Sequence, residues 1–296
     1  MPFTPASEAH SHWIALVVGN TRLHWGLFSK QKLVKVRHTP HLATAQDAQT
    51  FVSNGFSYGE GEQIASELPS LWVASVVPEQ TVLCQQSSVT CYTVTRNRLP
   101  LSNVYATLGI DRAINLLGAK ERIGCPVLVV DAGTALTFTA GYLNSEFATV
   151  YGGAILPGLR LQTESLSQGT ATLADAIAPI KQALSAGLED PSGSIGTELP
   201  QRWANDTQGA IASGIIFGTL AALVDRLNEW WRGFAQGRVV LTGGDGPLLY
   251  RLLQQKTPAV AARVLLDSDL MFYGILAYRQ HVISQQEAEL SNAKKH

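Results

Sequence analysis

Two similar stretches of the chain, each an apolar strand running into a glycine turn, most constrain what this sequence can fold into. In the second stretch, residues 127–130 are apolar, Asp131-Ala132-Gly133-Thr134 follows, and an alternating strand covers residues 135–139. An apolar run that ends on a glycine predicts a buried strand followed by a tight turn. The local prediction is a β-hairpin with a tip that suits a phosphate group, although the same residues also suit an ordinary hairpin.

An earlier copy of the pattern strengthens this prediction. Residues 16–18 are apolar, Gly19-Asn20-Thr21 forms the turn, and an alternating strand covers residues 23–28. Two such hairpins, each opening half of the chain, suggest a duplicated α/β domain with a nucleotide between the halves. The copies differ at one position, where the second has Asp131 and the first has Val17.

These turns have the residue types that phosphate binding requires. A glycine lets backbone N–H groups approach a phosphate, a threonine hydroxyl can help to hold it, and an acid can hold a cation beside it. A third glycine turn, Thr242-Gly243-Gly244-Asp245, precedes a predicted helix. Helix N-termini favour anions, so this turn fits the same nucleotide site.

The composition excludes some classes of function. The chain has 296 residues with a formal net charge of −1, which gives no electrostatic reason to expect nucleic acid or an anionic membrane as a partner. No apolar run reaches the roughly 18 residues of a membrane span. The three cysteines lack metal-ligand spacing, which indicates reduced thiols and a cytosolic protein.

One acid stands out ahead of a predicted helix, in Gly109-Ile110-Asp111-Arg112. Asp111 could be a helix N-cap that accepts backbone N–H bonds, which contributes about 1 kcal/mol. Alternatively, it could be a general base that faces the cleft between the halves. Spacing alone leaves both interpretations open.

A long helix with small residues is predicted after the cap Asn205-Asp206-Thr207. Ala210, Gly214 and neighbouring small residues suit close packing at a domain or subunit interface. An ordinary buried core helix fits the same pattern, and both interpretations remain open.

In their order and spacing, these motifs resemble those of the type III pantothenate kinases, which belong to the superfamily of acetate kinase, sugar kinases, Hsp70 and actin. The resemblance covers about residues 13–280, and Gly-x-Asp-Arg is its most diagnostic part. The matching residues are Gly19-Asn20-Thr21, Ser75-Val76-Val77-Pro78, Gly109-Ile110-Asp111-Arg112, Asp131-Ala132-Gly133-Thr134, Gly152-Gly153, Pro157-Gly158, Thr207, Ala210-Ile211, Gly214, Thr242-Gly243-Gly244 and Asp267-Ser268-Asp269-Leu270.

The resemblance implies an α/β fold of two duplicated ribonuclease H-like (actin-like ATPase) domains. Each would have a mixed five-stranded sheet flanked by helices, and the nucleotide cleft would lie between the halves. We expect a flexible arm at residues 1–12, an N-terminal domain at 13–125, a C-terminal domain at 126–283 and a polar tail at 284–296.

It also implies an activity, the ATP-dependent phosphorylation of pantothenate to 4'-phosphopantothenate at the start of coenzyme A synthesis, in a cytoplasmic homodimer. Asp111 would be the base, and the monovalent cation, K⁺ or NH₄⁺, would bind at Asp131; Mg²⁺ would accompany ATP. The residues implied to bind pantothenate are Tyr105, Gly109, Ile110, Asp111, Arg112 and Thr207. The residues implied to bind ATP are Val18, Gly19, Asn20, Thr21, Arg22, Thr134, Gly243 and Gly244.

One departure from the family pattern bears on activity. The family has Asp-x-Gly-Asn-Thr at the first turn, and here the acid is replaced by Val17, with no Asp or Glu between Ala9 and Gln46. Either Mg²⁺ is held by ATP oxygens, water and more distant acids such as Asp131, or the chain is a weakened member that binds nucleotide as a regulatory or accessory protein. A kinase of another small hydroxylated substrate is a third interpretation.

Overall fold

The computed structural model describes residues 12–56, 68–144, 147–169, 173, 176–178, 180 and 198–293. These residues form two compact units. Unit 1 contains the described residues up to Arg122 together with those from Leu270 onward, and unit 2 contains the described residues from Ile123 to Asp269. The expected flexible arm lies outside the described residues, apart from His12.

Unit 1 is built on a mixed sheet with the strand order β3-β2-β1-β4-β5. β1, β2 and β3 form an antiparallel meander, and β4 and β5 run parallel to β1. The strands of this unit are β1 (His12–Val18), β2 (Leu23–Ser29), β3 (Lys32–Thr39), β4 (Ser70–Ser75), β5 (Cys91–Thr93) and the short β6 (Leu101–Ser102). The predicted hairpin around Gly19 is therefore confirmed.

Four helices complete unit 1: α1 (Ala45–Asn54), α2 (Pro78–Gln86), α3 (Ile110–Ile123) and α8 (Leu270–Ala293), the last helix of the described chain. Thr44 caps α1 with a reciprocal capping box to Asp47. α3 and α8 cross at close range, because a Cβ on Gly274 would overlap the carbonyl of Ile114 and one on Gly118 would overlap that of Leu270. Glycine at both positions is what lets these two helices touch through their backbones.

The strands of unit 2 repeat the arrangement of unit 1. Among the strands of this unit the order is β11-β10-β7-β8-β9, in which β7, β8 and β9 form an antiparallel meander while β10 and β11 run parallel to β7. The strands are β7 (Val127–Ala132), β8 (Ala135–Asn144), β9 (Phe147–Pro157), β10 (Arg238–Thr242) and β11 (Val264–Leu266). The same order and directions in both units confirm the predicted duplication and the mixed sheets.

The helices of unit 2 cover this sheet. Among them are α4 (Leu159–Gly169), α5 (Thr207–Gly233), α6 (Gly246–Lys256) and the short α7 (Pro258–Ala261). As predicted, α5 is capped by Asp206, whose carboxylate accepts the N–H of Gly209 at 2.8 Å. Buried residues of α5, among them Leu223 and Leu227, join the apolar core with β7, β8 and β10.

By length and composition, α5 is also apolar enough to cross a membrane, with a mean hydropathy of 1.6 over its most apolar window. One such helix is weak evidence, because the core helix of a soluble protein passes the same test. Its buried leucines and tryptophans pack in the core of unit 2, so the core interpretation accounts for its composition.

Two boundaries differ from those expected from the sequence. Residues 270–283 belong with unit 1 rather than with the C-terminal half, because α8 packs on β1, β4 and α3. The helix also continues through Ala293, well into the segment expected to be a polar tail. Both differences have one cause, which is that a single long helix closes the first unit from the far end of the chain.

Candidate active site

Asp111 lies in the first turn of α3, which begins at Ile110. Asp111 is therefore inside the helix, and the interpretation of Asp111 as the N-cap of this helix is wrong. Its Oδ1 atom accepts the N–H of Arg112 at 2.8 Å. The carboxylate folds back over Gly109, where an added Cβ would overlap Oδ1. Glycine at 109 leaves room for this carboxylate, which remains only partly buried and so accessible to a substrate.

Arg112 and Tyr105 are joined directly. The Nη1 atom of Arg112, a residue that is 7% exposed, donates to the Tyr105 hydroxyl at 3.0 Å. Tyr105 is 42% exposed, so the pair connects a buried cation to the surface. Arg96 holds the same segment, because its Nη1 donates to the carbonyl of Leu108 at 3.0 Å. The structure thus brings Tyr105, Gly109, Asp111 and Arg112 into one short stretch.

The tip between β1 and β2 is a tight turn closed by the N–H of Gly19, which donates to the carbonyl of Arg22 at 3.0 Å. This amide is used within the turn and is therefore not available to a ligand. Asn20 and Thr21 are exposed and Arg22 is partly exposed. Val18 precedes the turn, and its carbonyl accepts the N–H of Val76 at 3.1 Å, which joins the tip to the end of β4.

Three histidines surround this tip. The Nδ1 atoms of His24 and His38 lie 2.9 Å apart, and Nε2 of His41 lies 2.8 Å from the carbonyl oxygen of Gly19. The pKa of His24 is lowered to about 4, first by burial and then by the charges of His38 and Arg22. His24 is therefore a neutral imidazole at pH 7.

The corresponding tip of unit 2, between β7 and β8, has the same construction. The N–H of Gly133 donates to the carbonyl of Ala135 at 3.0 Å. The turn after β9 packs against it, because the N–H of Gly158 donates to the carbonyl of Thr134 at 3.0 Å. A Cβ on Gly158 would overlap the backbone of Gly133, so the two loops touch through glycine. The exposed side chain of Thr134 stays at the surface of this tip.

The turn after β10 meets the same tip. Gly243 has a φ of 87°, which favours glycine, and an added Cβ there would overlap the carboxylate of Asp131 and the carbonyl of Ala132. Gly244 follows at the surface. The Asp131 carboxylate and neighbouring carbonyls are hard oxygen donors of the kind that a potassium ion prefers. These residues fit a monovalent cation, which would offset phosphate charge.

Asp245, which the sequence did not single out as a site residue, is buried at this turn. It is 6% exposed, and its N–H donates to the carbonyl of Ala132 at 2.8 Å. Burial raises the pKa of its carboxyl to about 6, while the charge of Arg160 acts in the opposite direction. Within unit 2, the structure therefore places Asp131, Gly133, Gly243 and Asp245 at one end of the sheet.

Thr207, the first residue of α5, lines a groove between α4 and α5 with a volume of about 660 Å³. Gln162 joins the two helices at this groove, because its Nε2 donates to the Thr219 hydroxyl at 3.1 Å. Ala210, Ile211 and Gly214 line the same groove. The structure thus gathers four residues of the family pattern around one open concavity of unit 2.

The donor set at the β1–β2 tip does not fit magnesium. Mg²⁺ binds oxygen ligands, commonly carboxylates, and Val17 offers none, being 5% exposed within β1. No Asp or Glu occurs from residue 12 to residue 46. Among the described residues, no group of three or more His, Cys, Asp or Glu side chains could hold a metal ion.

Comparison with known proteins gives a consistent result. The sequence profile of a family described as type III pantothenate kinase matches residues 13–229. A relative from Nostoc sp. with the name type III pantothenate kinase is 38% identical over 284 residues, which cover 91% of this chain and 95% of the relative. A protein of the same name from Synechococcus elongatus is 39% identical over 243 residues, covering 81% and 87% of the two chains.

Solved structures support the fold. A Baf family protein from Campylobacter jejuni, described as a transcriptional activator, has a TM-score of 0.54 at 17% identity and covers 90% of this chain and 97% of its own. A glucokinase from Balamuthia mandrillaris, in complex with glucose, has a TM-score of 0.50 at 8% identity and covers 91% and 94% of the two chains. At these identities the likeness concerns the fold alone.

Proposed function

Because the chain belongs to the type III pantothenate kinase family, we propose that it transfers the γ-phosphoryl group of ATP to the hydroxyl of pantothenate. The product is 4'-phosphopantothenate, and the reaction is the first step of coenzyme A synthesis. The observation that carries this proposal is the placement of Asp111, which lies partly exposed over Gly109 in the first turn of α3.

Asp111 acts as the general base. Phosphoryl transfer depends on positioning and charge neutralisation more than on covalent catalysis, so the protein must orient the attacking hydroxyl. A carboxylate within hydrogen-bond reach of that hydroxyl accepts its proton as the O–P bond forms. The contact with the N–H of Arg112 fixes one carboxylate oxygen and leaves the other for the substrate.

The remaining residues bind pantothenate. Arg112 supplies a positive charge for the carboxylate of pantothenate or the transferring phosphoryl group, and Tyr105 orients its guanidinium through the 3.0 Å hydrogen bond. Gly109 and Ile110 line the same pocket beside the base. Thr207 contributes a hydroxyl from the mouth of the α4–α5 groove.

The residues that we expect to bind ATP lie at the sheet tip of each unit. In unit 1, residues Val18 to Arg22 contact its phosphates, and in unit 2 Thr134, Gly243 and Gly244 do so. Asp131 would hold a monovalent cation, K⁺ or NH₄⁺, which would offset phosphate charge. The β1–β2 tip would supply no carboxylate ligand to the Mg²⁺ that accompanies ATP.

The assembly proposed is a cytoplasmic homodimer with no nucleic-acid or membrane partner. Gly214 and Gly218 lie on the exposed side of α5, and a Cβ on either residue would meet open space. Small residues on an exposed helix side allow the backbone of another chain to approach closely. Sedimentation equilibrium at micromolar concentration measures the oligomeric state, and a monomer would contradict this part of the proposal.

A second candidate is favoured by Val17, namely a weakened family member that binds nucleotide as a regulatory or accessory protein. The first experiment measures phosphopantothenate formation from ATP and pantothenate, with Mg²⁺ and K⁺ present. Wild type is run beside Asp111→Asn and Val17→Asp. Turnover in wild type, with a loss of about 10²-fold in Asp111→Asn, supports the kinase and its base. Inactive wild type with active Val17→Asp supports the second candidate.

A further inference from the structure

Val17, His24 and His38 form a row across three strands. Val17 lies opposite His24 in the β1–β2 pair, and His24 lies opposite His38 in the β2–β3 pair. Residues directly opposite each other in an antiparallel sheet share one face. In unit 2 the equivalent row begins with Asp131, which lies opposite Thr137. In the β1–β2 hairpin, Val17 therefore stands where the β7–β8 hairpin has Asp131, and the imidazole of His24 lies beside it.

The two imidazoles can orient each other. Their Nδ1 atoms are 2.9 Å apart, so one ring must donate and the other accept. A neutral imidazole carries a single N–H, and the low pKa of His24 keeps that ring neutral at pH 7. When His38 donates, the hydrogen of His24 is on Nε2. That atom is on the Gly19 side of the ring, 4.0 Å from where a Cβ on Gly19 would lie.

The charges carried by the segment that forms this tip favour an anion. Arg22 is close enough to lower the pKa of His24, and no acid occurs from residue 12 to residue 46. Opposite charges attract and like charges repel, more strongly near a protein surface than in bulk water. A carboxylate at residue 17 would repel phosphate unless a metal ion stood between them, and Val17 removes that repulsion.

We propose that the β1–β2 tip binds the nucleotide phosphates directly through the guanidinium of Arg22 and the Nε2–H of His24, so that ATP binds without a divalent metal ion. His38 is a positioning residue, because it acts through the tautomer of His24. The proposal rests on the proposed function in one respect, which is that this tip contacts the phosphates of ATP.

The test measures the Kd of ATP by isothermal titration calorimetry, without pantothenate, once in EDTA and once with Mg²⁺. For wild type, we expect the two Kd values to agree within about threefold. For Val17→Asp, we expect metal-free binding to weaken by about tenfold or more, because a carboxylate then faces the phosphates. If wild type binds ATP at least tenfold more weakly in EDTA than with Mg²⁺, the proposal is overturned, whatever the variants show.

His24→Phe removes the N–H donor and keeps a ring of similar size. A hydrogen bond to a charged group is worth about 1.5–3 kcal/mol, so Kd in EDTA should rise about tenfold or more. The control is His12→Phe, at the opposite end of β1, which should leave Kd unchanged. If His24→Phe binds ATP with the same Kd as wild type, the His24 imidazole does not bind the phosphates.

The same measurements separate this proposal from the kinase proposal. If wild type forms phosphopantothenate but binds ATP only with Mg²⁺, the metal-free tip is wrong and the kinase stands. If wild type binds no ATP under either condition and forms no product, both proposals fail. Both proposals are supported if Val17→Asp no longer binds ATP in EDTA but still forms phosphopantothenate at the wild-type rate with Mg²⁺.

Discussion

The carboxylate of Asp111 occupies the space in which a side chain at residue 109 would begin. A Cβ on Gly109 would overlap Oδ1 of Asp111 and lie 3.5 Å from its Cγ atom. This relationship explains the spacing of the Gly-x-Asp motif, since the acid folds back over the residue two positions before it. Glycine at residue 109 is therefore required for the observed position of the Asp111 carboxylate.

Gly109→Ala should separate activity from stability. The atom that an added Cβ meets is the end of a flexible side chain, so Asp111 can rotate away at little cost in folding free energy. We expect kcat to fall about tenfold or more, because the base leaves its position, while the free energy of unfolding changes by less than about 1 kcal/mol. Kinetics of phosphopantothenate formation and urea denaturation measure the two quantities.

Gly233→Ala is the matched control for that variant, because an added Cβ there meets no atom within 4 Å. It should leave kcat unchanged. Equal activity in Gly109→Ala and wild type would show that the rotamer of Asp111 does not matter for catalysis.

Tyr105→Phe removes the hydroxyl that accepts from Arg112 at 3.0 Å. The guanidinium keeps its charge but loses an orienting partner, so we expect KM for pantothenate to rise about fivefold, as a hydrogen bond worth about 1 kcal/mol implies. kcat should stay within about twofold, because the Tyr105 hydroxyl bonds to Arg112 and takes no part in the proton transfer proposed for Asp111. Steady-state kinetics against pantothenate check this, and a fall in kcat with constant KM would contradict it.

Gly158→Ala should destabilise unit 2. An added Cβ would overlap the backbone of Gly133 and lie 2.7 Å from the carbonyl oxygen of Thr134, and backbone cannot rotate away. We expect a loss of about 3 kcal/mol in the free energy of unfolding. The contrasting variant is Gly233→Ala at the end of α5, where an added Cβ meets no atom within 4 Å, so the free energy of unfolding should change by less than about 1 kcal/mol. Thermal or urea unfolding distinguishes them, and equal stabilities would refute the close packing of the two loops.

Asp245→Asn should change how stability depends on pH. The pKa of the buried carboxyl is raised from 3.8 to about 6, so the folded state binds the proton more tightly than the unfolded state. The stability that Asp245 contributes is therefore full below about pH 4 and is lost as the pH rises through about 6. A shift of two pKa units corresponds to about 3 kcal/mol.

Urea denaturation of wild type and Asp245→Asn at pH 5 and pH 7.5 isolates this contribution. Wild type should lose stability relative to the variant between the two pH values, because asparagine carries no charge at either. The same change with pH in both proteins would mean that Asp245 ionises as it does in the unfolded chain.

The hairpin tips could be predicted from sequence because a strand, a glycine turn and a second strand are adjacent in the chain. The contact between His24 and His38 could not be predicted in this way. Counting outward from the pairs at the β2–β3 turn would place His24 opposite Arg37. A bulge between Leu27 and Phe28 shifts the register by one residue, and His24 meets His38 instead.

The assignment of the last helix shows a second limit of sequence reasoning. Asp267, Ser268 and Asp269 directly precede α8, and Asp and Ser are residue types that commonly cap the start of a helix. Which unit it joins depends on contacts between residues far apart in the chain, such as Gly274 against the backbone of Ile114. A glycine in a helix pattern does not reveal its partner, so proximity in sequence suggested the wrong neighbour.

The return of α8 to unit 1 sets an order for synthesis on the ribosome. Unit 2 is a continuous segment, from Ile123 to Asp269, so all its residues emerge before those of α8. Unit 1 begins first but lacks the helix that covers β1 and β4 until unit 2 has been synthesised. The half that is started first is thus completed last, and a nascent chain released before Leu270 would hold a complete second unit beside an open first one.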